Sequence, residues 1–164
     1  MKKTYTQIMK NFINIFLFVF IAHMAIGQNY TIEQIGSDFS LEGGWEIIYG
    51  PDEMLWVTER DGDIKRVNPV TGVQDQLISI NEVSPTNAAQ RGLMGLALHP
   101  ELGDGNDNNF VYVAYSYDEG EPFMKIVRYD YSISDGDGAL SNPQEIISEI
   151  PAGREHNGAR LVYG

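Results

Sequence analysis

Cysteine is absent from all 164 residues. No disulfide can form, and no lipid-modified cysteine can follow a leader. Basic residues are scarce: 11 Lys and Arg face 23 Asp and Glu, for a net charge of −12. Phosphate backbones are bound by clustered Lys and Arg, so nucleic acid is not an expected partner. The chain has no phosphate-cradling glycine loop, no HExxH and no GxSxG, which argues against nucleotide, zinc-protease and serine-hydrolase chemistry. Helical periodicity is nearly missing after Gln28, and no apolar run reaches the roughly 20 residues that span a membrane. Against these absences, 43% of residues are hydrophobic and 11% aromatic, a composition that folds into a core rather than staying disordered.

An apolar run over residues 12–21, interrupted only by Asn14, follows Lys2, Lys3 and Lys10. It ends in Ala22-His23-Met24-Ala25-Ile26-Gly27, with small residues three and one before a cut after Gly27. Residues 1–27 therefore read as a signal peptide, with an uncleaved anchor as the alternative. Cleavage removes three of the 11 basic residues and none of the 23 acidic ones, leaving 8 against 23 and a charge of −15. Export to a periplasm or beyond is expected, with no membrane span in residues 28–164.

Turn signals recur every several residues along the mature chain. Strands are expected over residues 44–49, 54–58, 64–67 and 76–80, separated by Gly50-Pro51-Asp52-Glu53, an Asp61-Gly62 hairpin and Asn68-Pro69-Val70-Thr71-Gly72. A second set follows over 92–98, 110–117, 125–131 and 145–150. Leu55-Trp56-Val57 answers Val111-Tyr112-Val113, and Ile64-Lys65-Arg66-Val67 answers Ile126-Val127-Arg128-Tyr129. Residues 158–164 resemble the start of both units. A four-stranded unit repeating at about 50–60 residues is the signature of β-propeller blades. A sandwich is the alternative, but it does not predict the internal echo. Propellers close with about four to eight blades, so two blades and the first strand of a third are expected to be the truncated N-terminal part of a longer protein. A small domain that closes a ring by oligomerising is the other possibility; the sequence does not fix the oligomeric state.

Gly153-Arg154-Glu155-His156-Asn157 leads into the apolar run Leu161-Val162-Tyr163, as residues 81–91 lead into the second unit. Loops leading into successive innermost strands meet at one mouth of a propeller channel. Gln90 and His156 occupy equivalent places in adjacent blades, so topology brings an amide, a carboxylate and an imidazole together. A neutral imidazole accepts a proton at working pH without special tuning. The same pair in a polar loop is also ordinary turn chemistry. His99 before Pro100 reads as a structural turn residue. Asp104-Gly105-Asn106-Asp107-Asn108 lacks the closing Glu of an EF-hand and reads as a hairpin loop. Asp135-Gly136-Asp137-Gly138 reads as a turn. Trp45, Trp56 and the tyrosines are assigned to packing between blades.

Three stretches carry a resemblance: Gln90-Arg91-Gly92-Leu93-Met94-Gly95-Leu96-Ala97-Leu98-His99-Pro100, Asn109-Phe110-Val111-Tyr112-Val113-Ala114-Tyr115 and Glu155-His156-Asn157-Gly158-Ala159-Arg160-Leu161. Together they resemble the soluble quinoprotein glucose dehydrogenases (glucose/sorbosone dehydrogenases). The resemblance implies a six-bladed propeller that oxidises the anomeric C1–OH of aldoses with pyrroloquinoline quinone (PQQ) and calcium, passing electrons to an external acceptor. It implies His156 as general base, Glu155 as the acidic residue beside it and Gln90 as a polar residue lining the pocket. Calcium ligands and most PQQ ligands would lie beyond Gly164, so no metal ligand is assigned within these residues and the chain alone is expected to be inactive. One position departs from the family pattern: Gly158-Ala159 stands where two glycines are usual, adding a methyl where backbone approach is close. The competing readings are a non-catalytic propeller that binds a glycan or a protein, and a piece of structure without function of its own.

Overall fold

The structure, a computed structural model, describes residues 5, 7, 9–13, 30–36, 40–84 and 90–164. The chain divides into two compact units, Met1–Glu33 and Gln34–Gly164. In the first, residues 9–13 are helical; most of the expected leader, including its cleavage site, lies outside the described residues. Among the described residues no helix is long and apolar enough to cross a membrane.

The second unit is built from eight strands: β1 (Gly44–Tyr49), β2 (Leu55–Glu59), β3 (Asp63–Val67), β4 (Gln74–Ser79), β5 (Leu93–Leu98), β6 (Phe110–Asp118), β7 (Pro122–Ser134) and β8 (Asp137–Pro151). They form two four-stranded antiparallel meanders, β1-β2-β3-β4 and β5-β6-β7-β8. The turns carry the residues their geometry demands. Asp52 Oδ1 accepts from Met54 N at 3.4 Å and from Trp56 Nε1 at 3.0 Å, closing the β1–β2 connection. Asn68 Oδ1 accepts from Val70 N and Thr71 N, both at 2.9 Å, a side-chain-made turn before β4. Asp135 and Gly136, with φ of 55° and 96°, form the two-residue turn of the long β7–β8 hairpin.

The sequence echo is an echo of register. Trp56 lies opposite Arg66 across β2 and β3, and Tyr112 lies opposite Arg128 across β6 and β7. Matching strands of the two sheets also neighbour each other, β1 beside β5 and β4 beside β8. This is the arrangement expected of successive propeller blades. All six residues of β5 are buried, which explains its uninterrupted apolar sequence: it is covered on both faces. On one side Leu93 N donates to Arg60 O at 3.0 Å, and the Thr58 hydroxyl donates to Met94 O at 3.1 Å. On the other lies the segment that follows β8. A Cβ on Gly95 would come within 1.8 Å of Ala159 O, so only glycine admits that carbonyl.

The blades are joined by a buried polar latch. The Arg66 guanidinium is 3.0 Å from Asp75 Oδ2 and donates to Gly136 O at 2.7 Å and to the Tyr131 hydroxyl. Asp75 Oδ2 in turn accepts from Gly138 N at 2.6 Å. Trp56 meets Tyr131 edge to face with centroids 5.0 Å apart. Packing between blades is therefore the role of Trp56 and Tyr131, while Trp45 is exposed. The expected strand over residues 161–163 is not formed as a ladder. This segment makes no strand pairing among the described residues and packs on β5 through side chains and the Ala159 carbonyl.

Candidate active site

The loop after β8 is closed by one carboxamide. Asn157 Oδ1 accepts from Gly153 N at 2.8 Å, and Asn157 Nδ2 donates to Gly153 O at 3.2 Å. The same Nδ2 donates to Gln90 O at 2.8 Å. His156 N donates to Gln90 Oε1 at 2.7 Å. Gln90 and His156 are thus brought together, through the backbone amide of the histidine rather than its ring. His156 adopts a φ of 60°, the left-handed region that disfavours most side chains.

The imidazole itself is 82% exposed, and its Nε2 lies 3.8 Å from Glu155 Oε2. That distance is too long for a hydrogen bond, so the carboxylate acts on the ring by charge alone, through solvent. Ring orientation is therefore not set by Glu155. The Gln90 loop is held by its neighbour: Arg91 pairs with Asp118, donates to Ser84 Oγ at 2.9 Å, and accepts at its carbonyl from Arg60 Nε at 3.4 Å. Residues 85–89 of that loop lie outside the described residues. The sequence reading passed over Asn157 and Arg91. An Asn inside a glycine-bounded turn is a signal for side-chain closure of that turn.

A separate cavity of about 600 Å³ opens between β1, the end of β5 and residues 160–163. Arg160 faces Glu46 across it at 3.5 Å. Tyr163 packs edge to face on His99 at 4.8 Å, and His99 N donates to Phe110 O at 2.9 Å, a structural setting for that histidine. Gln90, Glu155 and His156 are not among the residues lining this cavity. The Tyr115 hydroxyl donates to Glu82, whose other oxygen lies 3.0 Å from Lys125 Nζ. Among the described residues no three His, Asp or Glu side chains are grouped to hold a metal ion.

The glucose/sorbosone dehydrogenase family profile matches residues 41–164. Quinoprotein glucose dehydrogenase B of Acinetobacter calcoaceticus is 30% identical over 125 residues, which cover 72% of this chain and 25% of that protein. The PQQ-bound aldose sugar dehydrogenase of Streptomyces coelicolor superposes with a TM-score of 0.65 at 28% identity, over 80% of this chain and 37% of that one. The soluble aldose sugar dehydrogenase of Escherichia coli, in its apo-form, shares the fold at a TM-score of 0.60 and 21% identity, over 75% of this chain and 35% of that one. The chain thus spans between a quarter and two-fifths of the length of these relatives.

Proposed function

This chain belongs to the glucose/sorbosone dehydrogenase family, and on that premise we propose that a protein carrying it as two β-propeller blades is an exported, PQQ-dependent sugar dehydrogenase. The observation that supports this most is the pairing of Gln90 with the His156 amide, which holds an accessible imidazole beside a carboxylate at the junction of two blades.

The residues present fit one side of a quinone site. The imidazole is open to solvent, and a Cβ on Gly158 would meet no atom within 4 Å, leaving space beside it. Calcium finds no cluster of three His, Asp or Glu side chains among the described residues, and its ligands are proposed to come from outside them. When bound, PQQ supplies the two-electron acceptor, which an external acceptor then reoxidises. This chain's own part is a proton transfer. A neutral ring nitrogen of His156 takes the proton of the aldose C1 hydroxyl as C1 loses hydride, and the sugar leaves as its lactone. Taking the proton raises electron density on C1 as the hydride departs, which is why a base belongs there. Glu155 favours the resulting imidazolium weakly, as an exposed pair does. Gln90 Oε1 is occupied by the His156 amide, so the Gln90 NH₂ remains to donate to a sugar hydroxyl.

The test is dye-linked oxidation of a panel of aldoses by the protein carrying this chain, loaded with calcium and assayed with and without PQQ. Oxidation that depends on PQQ is expected. A protein that binds no PQQ overturns the dehydrogenase reading in favour of a binding module for a glycan or a protein.

A further inference from the structure

We propose that Asn157 is the positioning residue of this site, locking the loop that carries His156 and docking it on the preceding blade. The proposal rests on the reading of His156 as the base, but its structural half can be tested without turnover. Three hydrogen bonds leave the Asn157 carboxamide: two close the loop on Gly153, and the third reaches Gln90 O. Together with the His156 amide bonded to Gln90 Oε1, they make a two-point bridge between residues 90 and 156–157. Both halves of the carboxamide are needed. Oxygen accepts from Gly153 N, and nitrogen serves two carbonyls that only a donor can satisfy.

The bridge matters because nothing else described holds the histidine. Its ring is exposed, and Glu155 stands beyond hydrogen-bond distance. Its backbone sits at a φ of 60°, a conformation that persists when surrounding contacts over-determine it. The position of the base is therefore set from behind, through its main chain, by Asn157 and Gln90. A catalytic base misplaced by about an ångström loses on the order of 10²-fold in rate, so a loop lock of this kind bears directly on turnover.

The experiment compares amide exchange, resolved to single residues, in the chain and its Asn157→Asp and Asn157→Ala variants, with β5–β7 amides as internal controls. Asp keeps the acceptor for Gly153 N and loses the donor to both carbonyls. At neutral pH the His156 amide in Asn157→Asp should exchange about tenfold faster, the worth of one net hydrogen bond, while Gly153 stays protected. In Asn157→Ala both amides should lose protection. Acidification should restore His156 protection in Asn157→Asp alone, because a protonated carboxyl again donates to Gln90 O. Unchanged His156 exchange in Asn157→Asp, no recovery in acid, or equal loss across β5–β7 would each overturn the proposal. In the PQQ- and calcium-loaded protein, Asn157→Asp should lower kcat about tenfold with KM for sugar and PQQ affinity held within about twofold, because the loss falls on geometry rather than on binding. A fall in KM-dependent terms alone would also overturn it. Absence of turnover in the unsubstituted protein would sink the dehydrogenase reading and leave the exchange result to decide the positioning role.

Discussion

Ala159 follows Gly158 where the family pattern has a second glycine, in the segment that packs on β5. The sequence suggests that an extra methyl would crowd a close approach. The structure places the strain in the backbone: Ala159 has a φ of 81° beside Gly158 at 71°, and its carbonyl lies against Gly95. An L-residue in this region costs about 1–2 kcal/mol, partly offset by the entropy of glycine in the unfolded chain. Ala159→Gly should therefore stabilise the chain by roughly 0.5–1 kcal/mol, read as a higher denaturant midpoint. A lower midpoint would show that the methyl contributes packing. The residues around Tyr115 set a pH dependence. Burial, with the Glu82 carboxylate beside it, pushes the Tyr115 phenol up, and burial also raises Tyr129, Tyr131 and Tyr112. For Lys125, burial lowers the pKa, but the Glu82 hydrogen bond and the charges of Glu82 and Glu145 outweigh it. For Glu82, burial raises the pKa, and the Tyr115 and Lys125 hydrogen bonds with the Lys125 charge bring it below 4.5. Raised groups stabilise fully below their unfolded values, 10.0 for Tyr and 10.5 for Lys, and lose that contribution as pH rises through the folded values. The lowered Glu82 contributes above 4.5 and loses its share as pH falls through its folded value. Stability should decline above pH 10, and less steeply in Tyr115→Phe. A midpoint flat through that range in the unsubstituted chain would contradict the assignment. Which loops meet was legible, because Gln90 and His156 hold equivalent places in a repeat. Which atoms meet was not, because a backbone amide leaves no mark on the sequence.

Strands and their turns were legible to within a few residues where Gly or Asp marks the chain reversal. The outer hairpin was not. The sequence marks its last strand only over residues 145–150, yet β8 runs from Asp137 to Pro151, with Asn142 and Glu149 at φ of 51° and 55° and repeated register shifts against β7. Bulges and prolines blunt an edge strand without ending it. The repeat also hides unequal partners. Arg66 and Arg128 hold matching positions, but Arg66 reaches Asp75, Gly136 and Tyr131 from a nearly buried site, whereas Arg128 lies over Phe110 and 3.5 Å from Asp130. Removing one partner of a buried pair typically costs about 3–5 kcal/mol. Arg66→Leu should cost in that range and Arg128→Leu clearly less, followed by urea unfolding with tryptophan fluorescence. Equal costs would show that the latch between blades is not where stability is concentrated.

The whole second unit was legible as two blades because the repeat echoes in both sequence and register. Its exposed apolar side chains follow from the same architecture. Ile47 and Tyr49 of β1, Ile146 and Ile147 of β8, and Val162 and Tyr163 of the segment after β8 are all exposed. Such faces drive association. The chain, at 18.4 kDa, is expected to run as a larger species in light scattering; a monomer would contradict this. The proposed chemistry is that of a protein carrying this chain as two propeller blades, and its central claim is that His156 takes the sugar proton. The direct measurement is turnover of His156→Ala in that protein, loaded with PQQ and calcium and assayed by dye-linked aldose oxidation. Loss of a general base predicts a fall of roughly 10²–10⁴ in kcat with PQQ binding intact, and a smaller fall for Glu155→Gln. Full activity in His156→Ala would contradict the account.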